Sequence, residues 1–251
     1  MVWLSIFVAI SLLTGSVSFG NFIDNFTYGQ PLNSRWTSDN SPGNPSSSNL
    51  TIVNWGDGVA QANGTLENAY NHLQTSIDAS GNFSVESCMR GNNPSSWAPS
   101  LMVYWDTTHW IRFAQFGNYG LMYNDGTTEY NINSGVACGG WSFFTQKIEF
   151  TDTEIKFYSK IGPDPGAPRV TPNLISSLTL SRGAWSKAAG ALLIVGKGYQ
   201  GSGFNNPDFD NDYSSLGATN YLGIDYVEYV PEPATMMLLG IGGLALLRKR
   251  A

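Results

Sequence analysis

Four side chains stand out as able to hold a ligand: Trp105, Trp110, Arg112 and Tyr123. They fall in three short runs of alternating apolar residues, Leu101–Asp106, His109–Phe116 and Tyr119–Asn124, separated by Thr107-Thr108 and Gly117-Asn118. Regular hairpin pairing sets Asp106 opposite His109, Trp105 opposite Trp110 and Val103 opposite Arg112, and the second turn brings Tyr123 beside Arg112. One face then carries all four, and the other carries Met102, Tyr104, Ile111, Phe113 and Met122 as a core. Flat rings stack on the C–H faces of sugars while a guanidinium takes the hydroxyls, so the expected chemistry is glycan binding. The alternative is that Trp105 and Trp110 are core packing with Arg112 laid along them. A slip of one residue exchanges the two faces. Trp97, Trp141 and Trp185 are further aromatic candidates.

Acid–base chemistry has less to work with. Between the two ends of the chain there are six glutamates, Glu67, Glu86, Glu129, Glu149, Glu154 and Glu228. Glycoside cleavage uses two carboxylates that flank the scissile bond. Asp152 and Glu154 are two residues apart but across a turn, and Asp225 and Glu228, three apart, point to opposite faces of a regular strand. The reading therefore leans away from an enzyme, and a pair drawn from different strands is the alternative. Asp208, Asp210 and Asp212, preceded by Asn205 and Asn206, concentrate oxygen ligands of the kind that suits Ca²⁺. An EF-hand is excluded, because Tyr213 and Thr219 stand where it needs Gly and a carboxylate. Gly196-Lys197-Gly198-Tyr199-Gln200-Gly201 fits a dinucleotide fingerprint, but Ser202 to Pro207 cannot start the required helix, so it reads as a loop. A Gly-x-Ser-x-Gly nucleophile elbow is absent. Two cysteines cannot build a structural zinc site, and His72 and His109 lack ligand spacing to them.

These residues must be positioned by strands. Further runs at Phe22–Thr27, Leu50–Asn54, Leu73–Ile77, Phe83–Arg90, Ser142–Phe150, Glu154–Lys160, Leu174–Leu180, Ala191–Val195 and Tyr221–Tyr229 alternate with period two between Gly, Asn, Asp and Pro. A short helix is expected around Leu66–His72. Long amphipathic helices are missing, so the expected fold is an all-β sandwich of two antiparallel sheets. Charged residues make up 13% of the chain, about half the ordinary fraction, while the 42% apolar fraction excludes disorder. The net charge of -6 leaves no basic surplus for nucleic acid.

The ends read as addresses. The apolar run from Val2 to Leu13 is too short to span a bilayer and is followed by small residues, as in a signal peptide cleaved after Gly20. At the other end Pro231-Glu232-Pro233 precedes an apolar run, Ala234–Leu247, and the basic triplet Arg248-Lys249-Arg250. This order resembles the PEP-CTERM sorting signal of Gram-negative bacteria. The resemblance implies an exosortase-type processing enzyme as partner, transient membrane contact through the apolar sorting helix, and export to the cell surface or exopolysaccharide matrix. The chain then divides into a leader (1–20), a β-sandwich domain (21–229) and a sorting segment (230–251). The tail from Pro231 carries three basic residues and one acidic, so without the two ends the charge falls from -6 to -8. In an oxidising compartment Cys88 and Cys138 are expected to bridge, closing a loop of about 50 residues worth on the order of 4 kcal/mol; two buried thiols are the alternative.

The domain carries a second resemblance. Phe22-Ile23-Asp24-Asn25-Phe26 with Leu32-Asn33-Ser34-Arg35-Trp36, then Phe83-Ser84-Val85-Glu86, then Leu101 to Phe116, and finally Gly223-Ile224-Asp225-Tyr226-Val227-Glu228-Tyr229 resemble, in order, strands of concanavalin A-like lectin/glucanase jelly rolls. That resemblance implies a jelly roll whose last strand pairs beside its first, and a carbohydrate-related role. The Glu-x-Asp-x-x-Glu string of its laminarinase-like branch is absent. Asp24 and Asp225 match positions that hold a structural Ca²⁺ in some of these jelly rolls. The resulting expectation is an exported, non-catalytic carbohydrate-binding sandwich. A glycoside hydrolase or lyase of the same fold and a ligand-free structural matrix protein are the alternatives.

Overall fold

The computed structural model describes residues 20–36, 50–54, 56, 58–64, 71–91, 100–116, 118–137, 142–185, 190–197 and 220–231. The expected leader up to Phe19, the tail from Glu232, the acidic string Asp208–Asp212, Glu67, Trp97, Trp141 and Cys138 lie outside the described residues. The described chain forms fourteen strands in the order β1 (Phe22–Asp24), β2 (Leu50–Val53), β3 (Val59–Gly64), β4 (Asn71–Ile77), β5 (Phe83–Gly91), β6 (Ser100–Asp106) and β7 (His109–Phe116), continuing with β8 (Asn118–Asp125), β9 (Glu129–Ala137), β10 (Phe144–Phe150), β11 (Glu154–Ile161), β12 (Asn173–Ser181), β13 (Ala191–Lys197) and β14 (Asn220–Pro231). Arg182–Ala184 adds one 3-10 turn.

The strands build two sheets. One has the order β12-β11-β10-β5-β14-β3-β2, with β1 added on β14, and the other runs β4-β13-β6-β7-β8-β9. All strand pairs are antiparallel, and Phe22 lies opposite Tyr229, so the first strand does pair with the last. The main core fills the space between the sheets, with Val85, Ile148 and Phe157 from one and Val103, Ile111, Phe113 and Leu193 from the other. Phe113 meets Phe157 edge-on across that space, with ring centroids 5.5 Å apart. The alternating burial of β10 and β11 is the period-two pattern read from the sequence. Their hairpin closes as expected, Phe150 opposite Ile155, with Thr151 Oγ1 donating to Glu154 O (2.9 Å) and accepting from its N–H (3.0 Å).

Several expectations are corrected. The first strand stops at Asp24 rather than Thr27, because Phe26 takes a φ of 47° and turns its ring into the core. β3 and β9 were not expected. Val59-Ala-Gln-Ala-Asn-Gly and Glu129-Tyr-Asn-Ile-Asn-Ser-Gly-Val-Ala are rich in residues with low strand propensity, and neighbouring strands recruit them by backbone pairing. Asn71 and His72, placed in a short helix, instead begin β4. The expected disulfide is not seen: Cys88 is a free, buried thiol whose Sγ lies 3.6 Å from the carbonyl oxygen of Pro163. Burial pushes that thiol's pKa far up and leaves it unreactive.

Candidate functional site

The outer face of the six-stranded sheet is ordered in cross-strand rows. The first row runs Ser76, Leu192, Tyr104, Trp110, Asn124, Glu129. The second runs Gln74, Ile194, Met102, Arg112, Met122, Asn131. Directly opposed residues on antiparallel strands share a face, so each row is a line of neighbouring side chains. Met102, Trp110, Met122 and Ile194 form a second apolar cluster, with Tyr104 and Leu192 packed against it. Trp110 is 1% exposed and Arg112 4%. This face is therefore not bare sheet. Its floor is sealed, and access is left to Ser76, Tyr104, Asn124, Glu129 and Asn131 around it.

The four residues expected to share a face do not. Pairing between β6 and β7 runs Val103 with Ile111 and Tyr104 with Trp110, then shifts so that Asp106 meets His109. Trp105 is the extra residue of this bulge. It turns inward, edge-on to Phe150 with centroids 5.8 Å apart, and its buried indole N–H has no hydrogen-bond partner. In the next pair Ile111 lies opposite Tyr123 and Arg112 opposite Met122. Tyr123 therefore also points inward, stacked on Tyr130 at 4.6 Å and edge-on to Trp185 at 5.5 Å. Of the four, Trp110 and Arg112 lie on the outer face; Tyr104 takes the place opposite Trp110 expected for Trp105, and Met122 the place beside Arg112 expected for Tyr123. Each displaced residue neighbours its replacement, and the two shifts have separate causes: the bulge at Trp105 in β6, and a tighter β7–β8 turn in which Phe116 lies opposite Asn118.

The turns at the end of the first row are held by carboxylates. Asp106 Oδ1 accepts from the Thr108 N–H and hydroxyl, both at 2.8 Å, and lies 3.1 Å from His109 Nδ1. Partial burial raises the Asp106 pKa, but these bonds outweigh it and the net shift is downward. Asp125 Oδ1 accepts from the Thr127 hydroxyl (2.6 Å) and amide (3.0 Å) and from the Thr128 amide (3.1 Å), which lowers its pKa too. Gly126 lies against His109, where an added Cβ would come 2.6 Å from Nε2. These acids are committed to turns, and Glu129 is the carboxylate that the described part of the first row presents.

A carboxylate pair does exist elsewhere. Glu86 of β5 lies directly opposite Glu228 of β14, on the outer face of the eight-stranded sheet. The Tyr226 hydroxyl donates to Glu86 Oε1 (2.7 Å). Arg169 donates to Glu228 Oε2 (2.9 Å) and to Asn25 Oδ1 (2.8 Å), with its guanidinium 3.8 Å from the centroid of the Tyr226 ring. Burial, with the neighbouring Glu228 charge adding to it, raises the Glu86 pKa. Sequence reasoning missed this pair because β5 and β14 are distant in the chain and only sheet topology joins them.

Asp24 accepts from the Trp36 indole N–H at Oδ2 (2.7 Å) and the Phe26 amide at Oδ1 (3.2 Å), so it ties the first strand to Trp36. Asp225 sits in the β14 bulge, between Ile224 and Tyr226. Among the described residues no three His, Cys, Asp or Glu side chains gather as a metal site.

Residues 230–251 match the family model of the PEP-CTERM protein-sorting motif. No curated protein matches the sequence. Among solved structures, the fold resembles a putative β-glucanase from Mycobacterium abscessus, with a TM-score of 0.54, 14% identity, and coverage of 83% of this chain and 98% of that one. A protein from a study of endo-acting O-glycanases of the human gut microbiota that initiate mucin breakdown gives 0.55 and 10%, over 84% and 98%. The xylan β-1,4-xylosidase of Bacillus halodurans gives 0.52 and 13%, over 83% of this chain and 38% of the enzyme. At these identities the likeness is one of fold. The domain is thus a two-sheet antiparallel jelly roll of the kind found in glycoside hydrolase-type proteins, consistent with a concanavalin A-like domain. The chain joins that jelly roll to a PEP-CTERM sorting motif, which marks a bacterial protein directed to the cell surface and implies processing by an exosortase-type enzyme.

Proposed function

We propose that this protein is a non-catalytic carbohydrate-binding jelly roll, displayed on a Gram-negative surface or in its exopolysaccharide matrix and sorted there through its C-terminal tail. The observation that carries the reading is the first outer row of the six-stranded sheet. Half-exposed Tyr104 beside Trp110 is flanked by Asn124, Glu129 and Ser76, an aromatic body with hydroxyl, amide and carboxylate groups at its ends. Asn124 Oδ1 accepts from the Gly126 amide (3.0 Å), which orients its NH₂ group for a ligand hydroxyl. That row presents one carboxylate where glycoside cleavage uses two. The Glu86–Glu228 pair lies on the other sheet with Arg169 seated on it. The fold neighbours named for β-glucanase and xylosidase add a carbohydrate context.

The test is retention of the Tyr104→Ala/Asn124→Ala double variant on exopolysaccharide from a producing host, with a melting curve beside it. The reading expects retention to fall sharply while the chain stays folded. Equal retention of variant and parent refutes the site. Release of soluble sugar by the parent supports the hydrolase or lyase reading, and neither binding nor release leaves a structural matrix protein.

A further inference from the structure

The sorting motif begins inside the folded domain. β14 runs through Val230 and Pro231, which lie opposite Ser84 and Phe83 of β5. Val230 and Pro231 also form one wall of a groove at the end of the eight-stranded sheet, whose other walls are Asn82, Phe83, Ser84, Glu149, Phe150 and Thr151. Only Glu232 separates Pro231 from Pro233, the last residue of the triplet. Whatever conformation they take, two residues reach at most about 7 Å beyond Pro231. An enzyme that grips Pro231-Glu232-Pro233 therefore comes within side-chain reach of the groove.

We propose that this groove is a docking surface for the exosortase-type enzyme that processes the tail, so that the enzyme reads the end of the sandwich together with the triplet. The proposal rests on the sorting reading of residues 230–251. The groove is mainly apolar, lined by Phe83, Phe150, Val230 and Pro231 with polar groups among them, so it suits a partner loop that carries an apolar side chain between polar ones. Ser84 and Asn82 line it too, and Asn82 Oδ1 is buried there without a hydrogen-bond partner. Glu149 accepts from the Tyr158 hydroxyl at 2.6 Å and lies 3.5 Å from the Lys147 ammonium, which fixes a carboxylate in one wall. Thr151 is held by its bonds to Glu154. The walls are thus set before the partner arrives, which lowers the ordering cost of docking.

The experiment follows conversion of the precursor to the processed chain by pulse-chase in a host whose own Pro-Glu-Pro proteins are processed. Two groove variants, Ser84→Arg and Asn82→Arg, are each made in the native chain and in a chain with a Gly-Gly-Ser spacer of about nine residues between Tyr229 and Val230. That spacer moves the intact motif away by a root-mean-square distance of about 17 Å. Docking expects each substitution to slow conversion of the native chain by about fivefold or more, the effect of blocking one contact in an interface, and to have no effect in the spacer chain. Unchanged conversion in the native chain overturns the proposal. So does equal slowing in both chains, which reports a folding or export defect. Faster conversion of the spacer chain with no effect of the groove variants overturns it in favour of fraying at the strand end. A parent chain that is not processed at all overturns the sorting reading itself, and the proposal with it.

Discussion

Replacing Trp110 by Ala tests the central geometric finding, that this ring is interior to a second apolar cluster rather than a platform open to solvent. Its ring belongs to the cluster of Met102, Met122 and Ile194 and is 1% exposed. Truncating a buried Trp to Ala removes its transfer free energy and leaves a cavity, together about 3–5 kcal/mol. For a domain of about 150–250 residues each kcal/mol moves Tm by roughly 2–4 °C, so the variant should melt about 6–20 °C below the parent. A solvent-exposed platform residue would cost no more than about 0.5 kcal/mol, a shift of about 2 °C or less. Tyr28→Ala is the control, because its ring is 54% exposed and its loss should fall within that smaller range. The assay is thermal unfolding followed by calorimetry or near-ultraviolet circular dichroism at fixed pH. A Trp110→Ala variant that melts within 2 °C of the parent, roughly the surface limit, would refute the sealed face. Loss of glycan retention by this variant therefore has no meaning without its melting curve, which is why the binding test uses Tyr104 and Asn124.

Four further outcomes follow from the same geometry. The Glu86 carboxyl binds its proton more tightly in the fold than its ordinary value of 4.5, mainly through burial and then through the Glu228 charge. The folded state therefore holds more protons than the unfolded one above that value, and stability should fall as pH rises from about 4.5 through the folded pKa. Glu86→Gln should flatten this fall in a series of melts against pH, and parallel profiles for variant and parent would contradict it. Gln146 is fully buried opposite Ser87 with neither amide atom hydrogen-bonded, so Gln146→Met should stabilise by about 1–3 kcal/mol; a lower Tm would show that ordered water satisfies the amide. Gly58 has a φ of 144° and an added Cβ would collide with the Phe26 carbonyl, so Gly58→Ala should cost several degrees of Tm, and an unchanged Tm would count against this packing. The Ca²⁺ reading of Asp208, Asp210 and Asp212 expects a higher Tm in Ca²⁺ than in EDTA, and superimposed curves remove it.

The amino-acid sequence by itself determined the strand content, most strand positions and the β10–β11 hairpin. These are local properties: period-two alternation and turn residues act over a few positions and read alike in any context. It also determined the sorting motif, whose triplet, apolar run and basic end are legible in order along the chain. Strands β3 and β9 were illegible because Asn, Gly and Ser have little strand preference of their own, and pairing with neighbours recruits them. Which side chains meet was decided only by tertiary structure. At Trp105 one bulged residue reversed which β6 side chains share a face with Trp110 and Arg112, because a strand's side chains alternate and a single insertion changes parity; a one-residue shift at the β7–β8 turn did the same to Tyr123. Glu86 and Glu228 met because β5 and β14 are neighbours in the sheet, a fact no spacing in the chain encodes. The burial of Trp110 has the same origin. Its type announced a large apolar surface, and only the packed sheet decided whether that surface faces a ligand, water or the protein itself.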